Sequence, residues 1–415
     1  MLIKNGWVLT NRVEKKDVAI EGNTITELGK SLSGSEYIDA SNHLVMPGLV
    51  NTHTHLAMTL LRGYADDVPL HEWLTEYIWP REMKLTPEDC YYGNLLGIVE
   101  MIRSGTTCFH DMYFHPDQAV KAVRDSGMRA VISCSLAEFG NRAHALDVLK
   151  TGLQFMKTIQ NEPRIDTSFG PHSPLTCSPE YLLTVQDHAR KLNKIVHIHL
   201  HEAADWIEKF SKSHGQTPIE CLESSGFLGE NVCAAHVVHA TDKELDILKT
   251  HGVKVLHCPS SNLKLANGIA PVAKMIKKGV CVALGTDGAA SNNTLDLFAE
   301  MRLMALLQKL HDPSAMTSGT AVKIATENGG SALKWNAGRI EKGFLADIIL
   351  VDLKKACMTP GHDVLSNVVY AANSSAVDTV IIDGRIVMEN GVLKTLHEDE
   401  IIEKAQEHAY DLVNR

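Results

Sequence analysis

Four histidines and one aspartate stand where they could hold a metal ion, because each lies at or just beyond the end of an apolar segment of strand length. They are His53, His55, His199, His236 and Asp287. Imidazole nitrogens and carboxylate oxygens are common ligands of zinc and similar divalent cations. One His-x-His pair alone means little, since chance gives about one such pair in a chain this rich in histidine. The recurrence of ligand-type residues at the same end of several segments favours a metal site.

The segment around residue 199 carries three histidines and a following carboxylate. His197, His199 and His201 alternate, so spacing alone places all three on one side and leaves open which of them is a ligand. Glu202 comes just after them, and a carboxyl group beside activated water can act as a general acid and base. Its alternative role is that of an acidic residue in the first turn of a helix. We predict the catalytic role.

Three further observations refine the predicted site. Asp287 lies in a glycine-rich stretch that could mean a simple helix N-cap, but beside the histidines we predict an oxygen ligand that also accepts a proton from water. Residues 165–190, which include a predicted strand, contain no lysine. Barrel hydrolases that bind two metal ions bridge the ions with a carboxylated lysine in the corresponding strand. One ion is therefore predicted. His172 could brace a turn or contact substrate, and we predict the substrate contact.

A closed barrel of parallel strands would bring these distant residues together. Apolar segments of strand length alternate with helical segments at 49–55, 106–112, 129–135, 166–173, 195–201, 232–238, 253–259 and 280–288. This alternation predicts a parallel sheet with helical crossovers, and eight such segments predict a (β/α)8 TIM barrel. A doubly wound open sheet would give similar local patterns, so closure depends on the count of eight. In a barrel, the carboxyl ends of all strands converge on one mouth.

Both ends of the chain are rich in short strands instead. The predicted strands are residues 2–9, 17–21, 24–28, 347–352, 379–382 and 385–388. Neither end could close a core alone, so we predict that residues 1–47 and 345–415 combine into one small β-sandwich domain. Residues 48–344 would form the metal-dependent hydrolase barrel, and a helix over residues 398–414 would pack outside the sandwich.

The composition excludes several classes of function. The chain has 40 basic and 50 acidic residues, and its net charge of −10 disfavours binding to nucleic acids and to anionic membranes. Residues 1–12 lack the apolar stretch of a secretory signal, and no later run reaches membrane-spanning length. The nine cysteines show no repeated Cys-x-x-Cys spacing, which argues against a disulfide framework. We predict a cytoplasmic protein that binds neither nucleic acid nor membrane.

Several stretches resemble the amidohydrolase superfamily and, within it, the methylthioadenosine and S-adenosylhomocysteine deaminases. These stretches are residues 47–55, 58–63, 265–271 and 285–293, and the resemblance spans nearly the whole chain. It implies one divalent ion, with zinc expected, held by His53, His55, His199 and Asp287. His236 would lie near the water and the substrate oxyanion.

The same resemblance implies hydrolytic deamination of a 5′-substituted adenosine. Glu202 would protonate the purine ring nitrogen while Asp287 takes the proton of the water that attacks C6. The implied substrate contacts are a ribose ligand, an aromatic face, a histidine and an arginine: Glu82, Trp73, His172 and Arg142. Cys134 stands where the resemblance places an arginine in some members, at the end of the third strand. The resemblance therefore favours acceptance of methylthioadenosine over acceptance of a substrate that bears a carboxylate.

Other functions stay open at this stage. The nearest alternative is a deaminase or chlorohydrolase acting on another purine, a pyrimidine or a triazine. Trp73 and Glu82 favour a nucleoside over a bare base, because a base offers no ribose hydroxyl to a carboxylate. An alternative of another class is a noncatalytic scaffold, which the complete ligand set disfavours. Barrels of this group often form homo-oligomers, so a homo-oligomer is expected.

Overall fold

Parallel strands form a barrel in the computed structural model, which describes residues 1–34 and 36–415. Within those residues the eight strands of this sheet are Leu49–Thr54, Thr106–Tyr113, Arg129–Leu136, Ile165–Pro171, Val196–Leu200, Val232–His236, Lys254–His257 and Cys281–Leu284. Thr52 Oγ1 donates to the Leu284 carbonyl at 2.8 Å, and the Asp287 amide donates to the His53 carbonyl at 2.9 Å. These bonds bring the last strand beside the first, and the predicted barrel is confirmed.

Helices follow the strands, and two of them begin with a capping Thr-Pro or Ser-Pro pair. Thr86 Oγ1 accepts the Asp89 amide at 3.2 Å, and Ser178 Oγ accepts the Tyr181 amide at 3.3 Å. The longer helices are Pro87–Arg103, Pro116–Ser126, Arg142–Thr158, Pro179–Lys191, Ala204–His214, Asp242–Thr250, Leu297–Leu307, Ser318–Ala325 and Glu398–Asn414. Shorter helical pieces are Leu56–Leu61, Leu70–Glu72, Trp73–Ile78, Trp79–Glu82, Pro218–Ser224, Pro259–Lys264, Val272–Lys278, Ala289–Asn292, Glu327–Ala332, Ala356–Met358, Val364–Tyr370 and Ser374–Ala376.

The two chain ends build a second, mixed sheet. Its strands are Leu2–Leu9, Val13–Glu21, Thr24–Gly29, Tyr37–Asp39, His43–Pro47, Ile348–Asp352, Val377–Ile382, Arg385–Glu389 and Val392–Leu393. The ends join where His43–Pro47 pairs antiparallel with Ile348–Asp352. Ile3, Val18 and Ile348 belong to one apolar core that both ends share. A mixed sheet that both chain ends build around a shared core is consistent with the predicted β-sandwich.

The carboxyl-terminal helix has the predicted bounds but a different neighbour. Glu398–Asn414 lies along the barrel helix Pro87–Arg103, where Glu398 pairs with Arg103 and His408 Nδ1 lies 2.7 Å from Asp89. It was expected outside the sandwich, and instead it packs on the barrel. The division into residues 1–47 with 345–415 and residues 48–344 stays a proposal.

The helices and the cysteines each bear on an expectation from the sequence. Across residues 1–34 and 36–415, every helix is too short or too polar to cross a membrane. All nine cysteines are free thiols.

Candidate active site

Histidine and carboxylate side chains meet at the carboxyl end of the barrel. His53 Nε2 and His55 Nε2 lie 3.5 and 3.3 Å from Asp287 Oδ1. His199 Nε2 lies 3.2 Å from His55 Nε2. Ligand atoms of His53, His199 and His236 also lie within 4.8 Å of one another. The structure thus brings together the five residues singled out as candidate ligands, and they provide a site for a divalent metal ion.

Two of these imidazoles are oriented by backbone carbonyls. His55 Nδ1 lies 2.6 Å from the Met112 carbonyl, and His199 Nδ1 lies 2.8 Å from the His172 carbonyl. Because a carbonyl only accepts, each Nδ1 must carry the proton. Each Nε2 then keeps its lone pair, which is the tautomer that binds a metal ion.

His53 is oriented by another histidine. Its Nδ1 lies 2.6 Å from His197 Nε2, and His197 Nδ1 lies 3.4 Å from Ser133 Oγ. His53 Nε2 is fully buried and has no hydrogen-bond partner among the described residues. A buried polar atom of this kind is costly unless another group takes it. A cation between these side chains would take it, so the residues present fit a bound metal.

Asp287 is held as a carboxylate. Burial alone would raise its pKa, but the contacts and charges of the imidazoles, His53 first, hold the pKa well below its ordinary value. Its Oδ2 accepts from Ser261 Oγ at 2.5 Å, and its Oδ1 accepts the Gly288 amide at 2.7 Å. Its φ of 61° lies in the left-handed region, which is unusual for a residue with a side chain and is often found at functional sites.

Two glycines let the loop of Asp287 approach the first strand. A Cβ at Gly285 would lie 2.9 Å from the His53 backbone nitrogen, and one at Gly288 would lie 2.4 Å from Met58 Sδ. Neither separation can accommodate another carbon. The glycines that flank Asp287 therefore allow its carboxylate to reach the histidines.

Glu202 lies beside His236 and is largely shielded from solvent. Its Oε2 is 3.9 Å from His236 Nε2, and its Oε1 accepts from Asn267 Nδ2 at 3.1 Å. Burial raises the pKa of Glu202, which favours the protonated carboxyl group. His236 Nδ1 lies 2.9 Å from Asn262 Oδ1, so this proton is also placed on Nδ1. The site therefore contains one carboxylate held charged and one carboxyl group biased towards neutrality.

A cavity of about 570 Å³ opens above these groups, within the size range of small-molecule sites. Its lining includes Trp73, Glu82 and His172, as predicted for substrate contacts. Glu82 is 9% exposed, and burial raises its pKa. An open groove of about 620 Å³ lies beside the cavity and contains none of the candidate ligands.

Arg142 is not brought to the cavity lining. Its guanidinium donates to Thr184 Oγ1 at 3.1 Å and to the Glu180 carbonyl at 3.3 Å, and it lies over the Tyr181 ring. These contacts hold it against the helix Pro179–Lys191. Its Nη1 also lies 3.7 Å from Oε1 of Glu138, which lines the cavity. Arg142 therefore lies directly behind the lining, and its contact with substrate stays a prediction.

Cys134 also points elsewhere. Its Sγ lies 3.6 Å from the Gly152 carbonyl, within the helix Arg142–Thr158, whereas the next residue, Ser135, lines the cavity. A cysteine at this position therefore leaves the cavity wall unchanged.

The three histidines in and after the fifth strand have different surroundings. His197 supports His53 and His199 lines the cavity, but the strand ends at Leu200 and His201 has a φ of 50°. His201 Nε2 accepts the Ile219 amide at 3.3 Å. The expectation that all three share one side is wrong for His201, because the left-handed turn directs it towards the following helices.

Sequence reasoning assigned no role in the site to the segment that follows the seventh strand, although residues 265–271 were among the stretches that carry the resemblance. Ser261 contacts Asp287, Asn262 contacts His236, and Asn267 contacts Glu202. Ser261 and Asn262 lie on the short helix Pro259–Lys264, which follows the carboxyl end of a barrel strand, and Asn267 lies just after that helix. That position was the available indication, since loops at this end of a barrel carry functional residues.

A closed barrel with histidines and an aspartate able to hold a metal ion at its mouth is typical of metal-dependent hydrolases of the barrel type. The chain belongs to the amidohydrolase family, whose model matches residues 44–387.

Curated relatives match along the full chain. A 5′-deoxyadenosine deaminase of Methanosarcina mazei is 46% identical over 426 residues, covering 100% of this chain and 99% of that protein. A 5-methylthioadenosine/S-adenosylhomocysteine deaminase of Thermococcus sibiricus is 45% identical over 397 residues, covering 94% of each chain. Among solved structures, an adenosine deaminase from Xanthomonas campestris with bound zinc matches with a TM-score of 0.96 and 33% identity, covering 100% of this chain and 98% of that one.

Proposed function

We propose that the protein is a zinc-dependent aminohydrolase that converts 5′-substituted adenosines to the corresponding inosines and releases ammonia. One observation carries the proposal: in the lining of one cavity, Asp287 lies 3.3 Å from His55 and Glu202 lies 3.9 Å from His236. The names of the deaminase relatives and the zinc of the structural neighbour support it.

A single zinc ion would be held by His53, His55, His199 and Asp287. Bound zinc supplies water that is acidic enough to be a nucleophile near neutral pH. The absence of lysine from residues 165–190 supports one ion rather than two. His236, with its Nδ1 bonded to Asn262, would contact the oxygen that adds to C6.

The two carboxyl groups divide the proton transfers. Asp287 is charged and would accept a proton from the attacking water. Glu202, protonated, would donate to the ring nitrogen next to C6, which makes that carbon more reactive. Asp287 would then pass that proton to the amino group, which leaves as ammonia. The proton on the oxygen at C6 would return to Glu202 as the carbonyl forms, so one water is consumed and one ammonia is formed.

The lining residues would position the nucleoside. Glu82 would accept from ribose hydroxyls, and Trp73 would offer a flat apolar face. Burial lowers the pKa of His172 to about 4, and its Nδ1 lies 3.1 Å from Thr176 Oγ1. A neutral His172 with its Nε2 free would give the substrate a further polar contact.

An ammonia-release assay separates this proposal from its alternatives. The substrates are adenosine, 5′-deoxyadenosine, methylthioadenosine, S-adenosylhomocysteine and guanine. A chlorotriazine is tested in parallel by chloride release, because its dechlorination yields no ammonia. We expect turnover of the adenosine compounds only. Preference for guanine or the triazine would replace the proposed substrate class, and no turnover by zinc-loaded enzyme would favour a noncatalytic scaffold.

His197 provides a test of the metal site itself. Replacing it with leucine is expected to weaken zinc binding by about 10–100-fold, because His53 Nδ1 loses its acceptor. His197→Gln keeps an acceptor and should have a smaller effect. Zinc affinity would be measured by competition with a chelator, and thermal unfolding of the metal-free variants would check the fold. Wild-type affinity in H197L would show that His197 does not orient the ligand.

Cytoplasmic location and homo-oligomeric assembly stay proposals from the sequence.

A further inference from the structure

A connected group of polar side chains lies inside the barrel next to His53. The first five strands each contribute one member, and all five side chains are fully buried: His53, His110, Ser133, Ser168 and His197. Buried imidazoles and hydroxyls cost stability unless they are hydrogen-bonded, and an apolar residue at each position would avoid that cost. Packing alone therefore does not account for the group.

Hydrogen bonds join the five residues in sequence. His53 Nδ1 lies 2.6 Å from His197 Nε2, and His197 Nδ1 lies 3.4 Å from Ser133 Oγ. Ser133 Oγ lies 2.7 Å from Ser168 Oγ, which lies 2.8 Å from His110 Nε2. The sequence of bonds ends there, because His110 Nδ1 has no hydrogen-bond partner among the described residues. We call these five residues the histidine–serine chain.

A metal ion on His53 would set the direction of every bond in the histidine–serine chain. His53 Nε2 must then present its lone pair, so Nδ1 carries the proton and donates to His197 Nε2. A neutral His197 carries its own proton on Nδ1 and donates to Ser133. Each serine hydroxyl then donates to the next member, and His110 Nε2 accepts the last bond.

The opposite direction would compete with metal binding. If His197 carried its proton on Nε2, it would donate to His53 Nδ1, and the proton of His53 would lie on Nε2, where it would block the ion. An acceptor at His110 Nε2 opposes that arrangement, because it draws both serine protons away from His197. Burial lowers the pKa of His110 to about 3, so its ring is neutral and able to accept. The rings of His110 and His197 also lie 4.0 Å apart between centroids, which limits rotation of His197.

We infer that Ser133, Ser168 and His110 are positioning residues that act through His197 to hold His53 in its metal-binding tautomer. This inference rests on the proposed zinc site and extends it to three residues that lie outside the lining of the cavity.

Ser133→Ala tests the middle of the histidine–serine chain, because it removes the acceptor of the His197 Nδ1 proton. We expect it to weaken zinc binding by about tenfold in competition with a chelator. Ser104→Ala is the matched control. It also removes a buried hydroxyl, but one that donates to the Glu100 carbonyl at 2.9 Å just after a barrel helix, so its zinc affinity should equal that of the wild type. Wild-type affinity in S133A would overturn the inference.

A double-mutant cycle separates positioning from a general loss of structure. In a His197→Leu background the histidine–serine chain is already interrupted, so adding Ser133→Ala should change zinc affinity by no more than about twofold. An equal loss in both backgrounds would show that Ser133 does not act through His197, and the inference would be wrong. Thermal unfolding of the metal-free variants checks the fold.

His110 tests the far end of the histidine–serine chain. His110→Leu removes the last acceptor and should weaken zinc binding by about tenfold, whereas His110→Gln keeps an acceptor and should recover most of that loss. The visible absorption of the cobalt-loaded protein, which reports the ligand geometry at the metal, should change in H110L and return towards the wild-type spectrum in H110Q. Equal losses in both variants would contradict the inference. A wild-type protein that binds no zinc would instead overturn the proposed function.

Discussion

Replacing Glu202 with glutamine is expected to lower kcat by about 10²–10⁴-fold while the zinc content stays at the wild-type level. Glutamine has nearly the same shape, and its amide oxygen can still accept from Asn267, which now donates to Glu202 at 3.1 Å. It cannot deliver the proton that the purine ring nitrogen needs. Steady-state ammonia release and metal analysis of the same preparation measure the two quantities.

The pH profile adds a second readout for Glu202. Burial raises its pKa, and the active form is the protonated one. Wild-type kcat/KM should therefore fall as the pH rises through that pKa, and this limb should be lost in E202Q. Glu208→Gln, at an exposed residue paired with Lys212, is the matched control and should keep wild-type kcat. Full activity of E202Q would assign the proton donor to another group.

Replacing Asp287 with asparagine is expected to lower kcat by about 10³-fold or more and to weaken zinc binding as well, because one residue serves both as ligand and as proton acceptor. The neutral amide leaves the three histidines without a negative partner and cannot take a proton from water. Activity with added zinc and zinc affinity by chelator competition separate the two losses.

Ser261→Ala is expected to lower activity less than Asp287→Asn does. It removes only the hydroxyl that donates to Asp287 Oδ2, so we expect a loss of about tenfold at most. A D287N enzyme that binds zinc tightly and turns over at the wild-type rate would exclude Asp287 from both roles.

The barrel was predictable because its pattern repeats. Eight apolar segments separated by helices mark the strands whether or not their boundaries are accurate, and strand ends in a barrel converge. His53, His199 and Asp287 could therefore be placed together although they are far apart in the chain. The paired glycines beside Asp287 were visible as well, but their reason, the close approach to the first strand, required the structure.

The positions that the sequence did not predict depend on contacts between separate elements of the fold, which no local sequence pattern specifies. His201 alternates with His199 in sequence, yet a left-handed backbone after Leu200 sends it to Ile219. The Arg142 side chain donates to Thr184 on a neighbouring helix. The carboxyl-terminal helix packs on a barrel helix, where His408 contacts Asp89. Periodicity predicts that a helix has an apolar face, but it does not specify the surface on which that face packs.

Zinc titration of the metal-free enzyme tests most directly whether the distant ligands meet around one ion. Activity and bound metal would be followed together as zinc is added to chelator-treated protein. We predict that activity rises from the background level and saturates at one equivalent per chain. Saturation at two equivalents, or turnover that is independent of metal, would contradict a single ion held by His53, His55, His199 and Asp287.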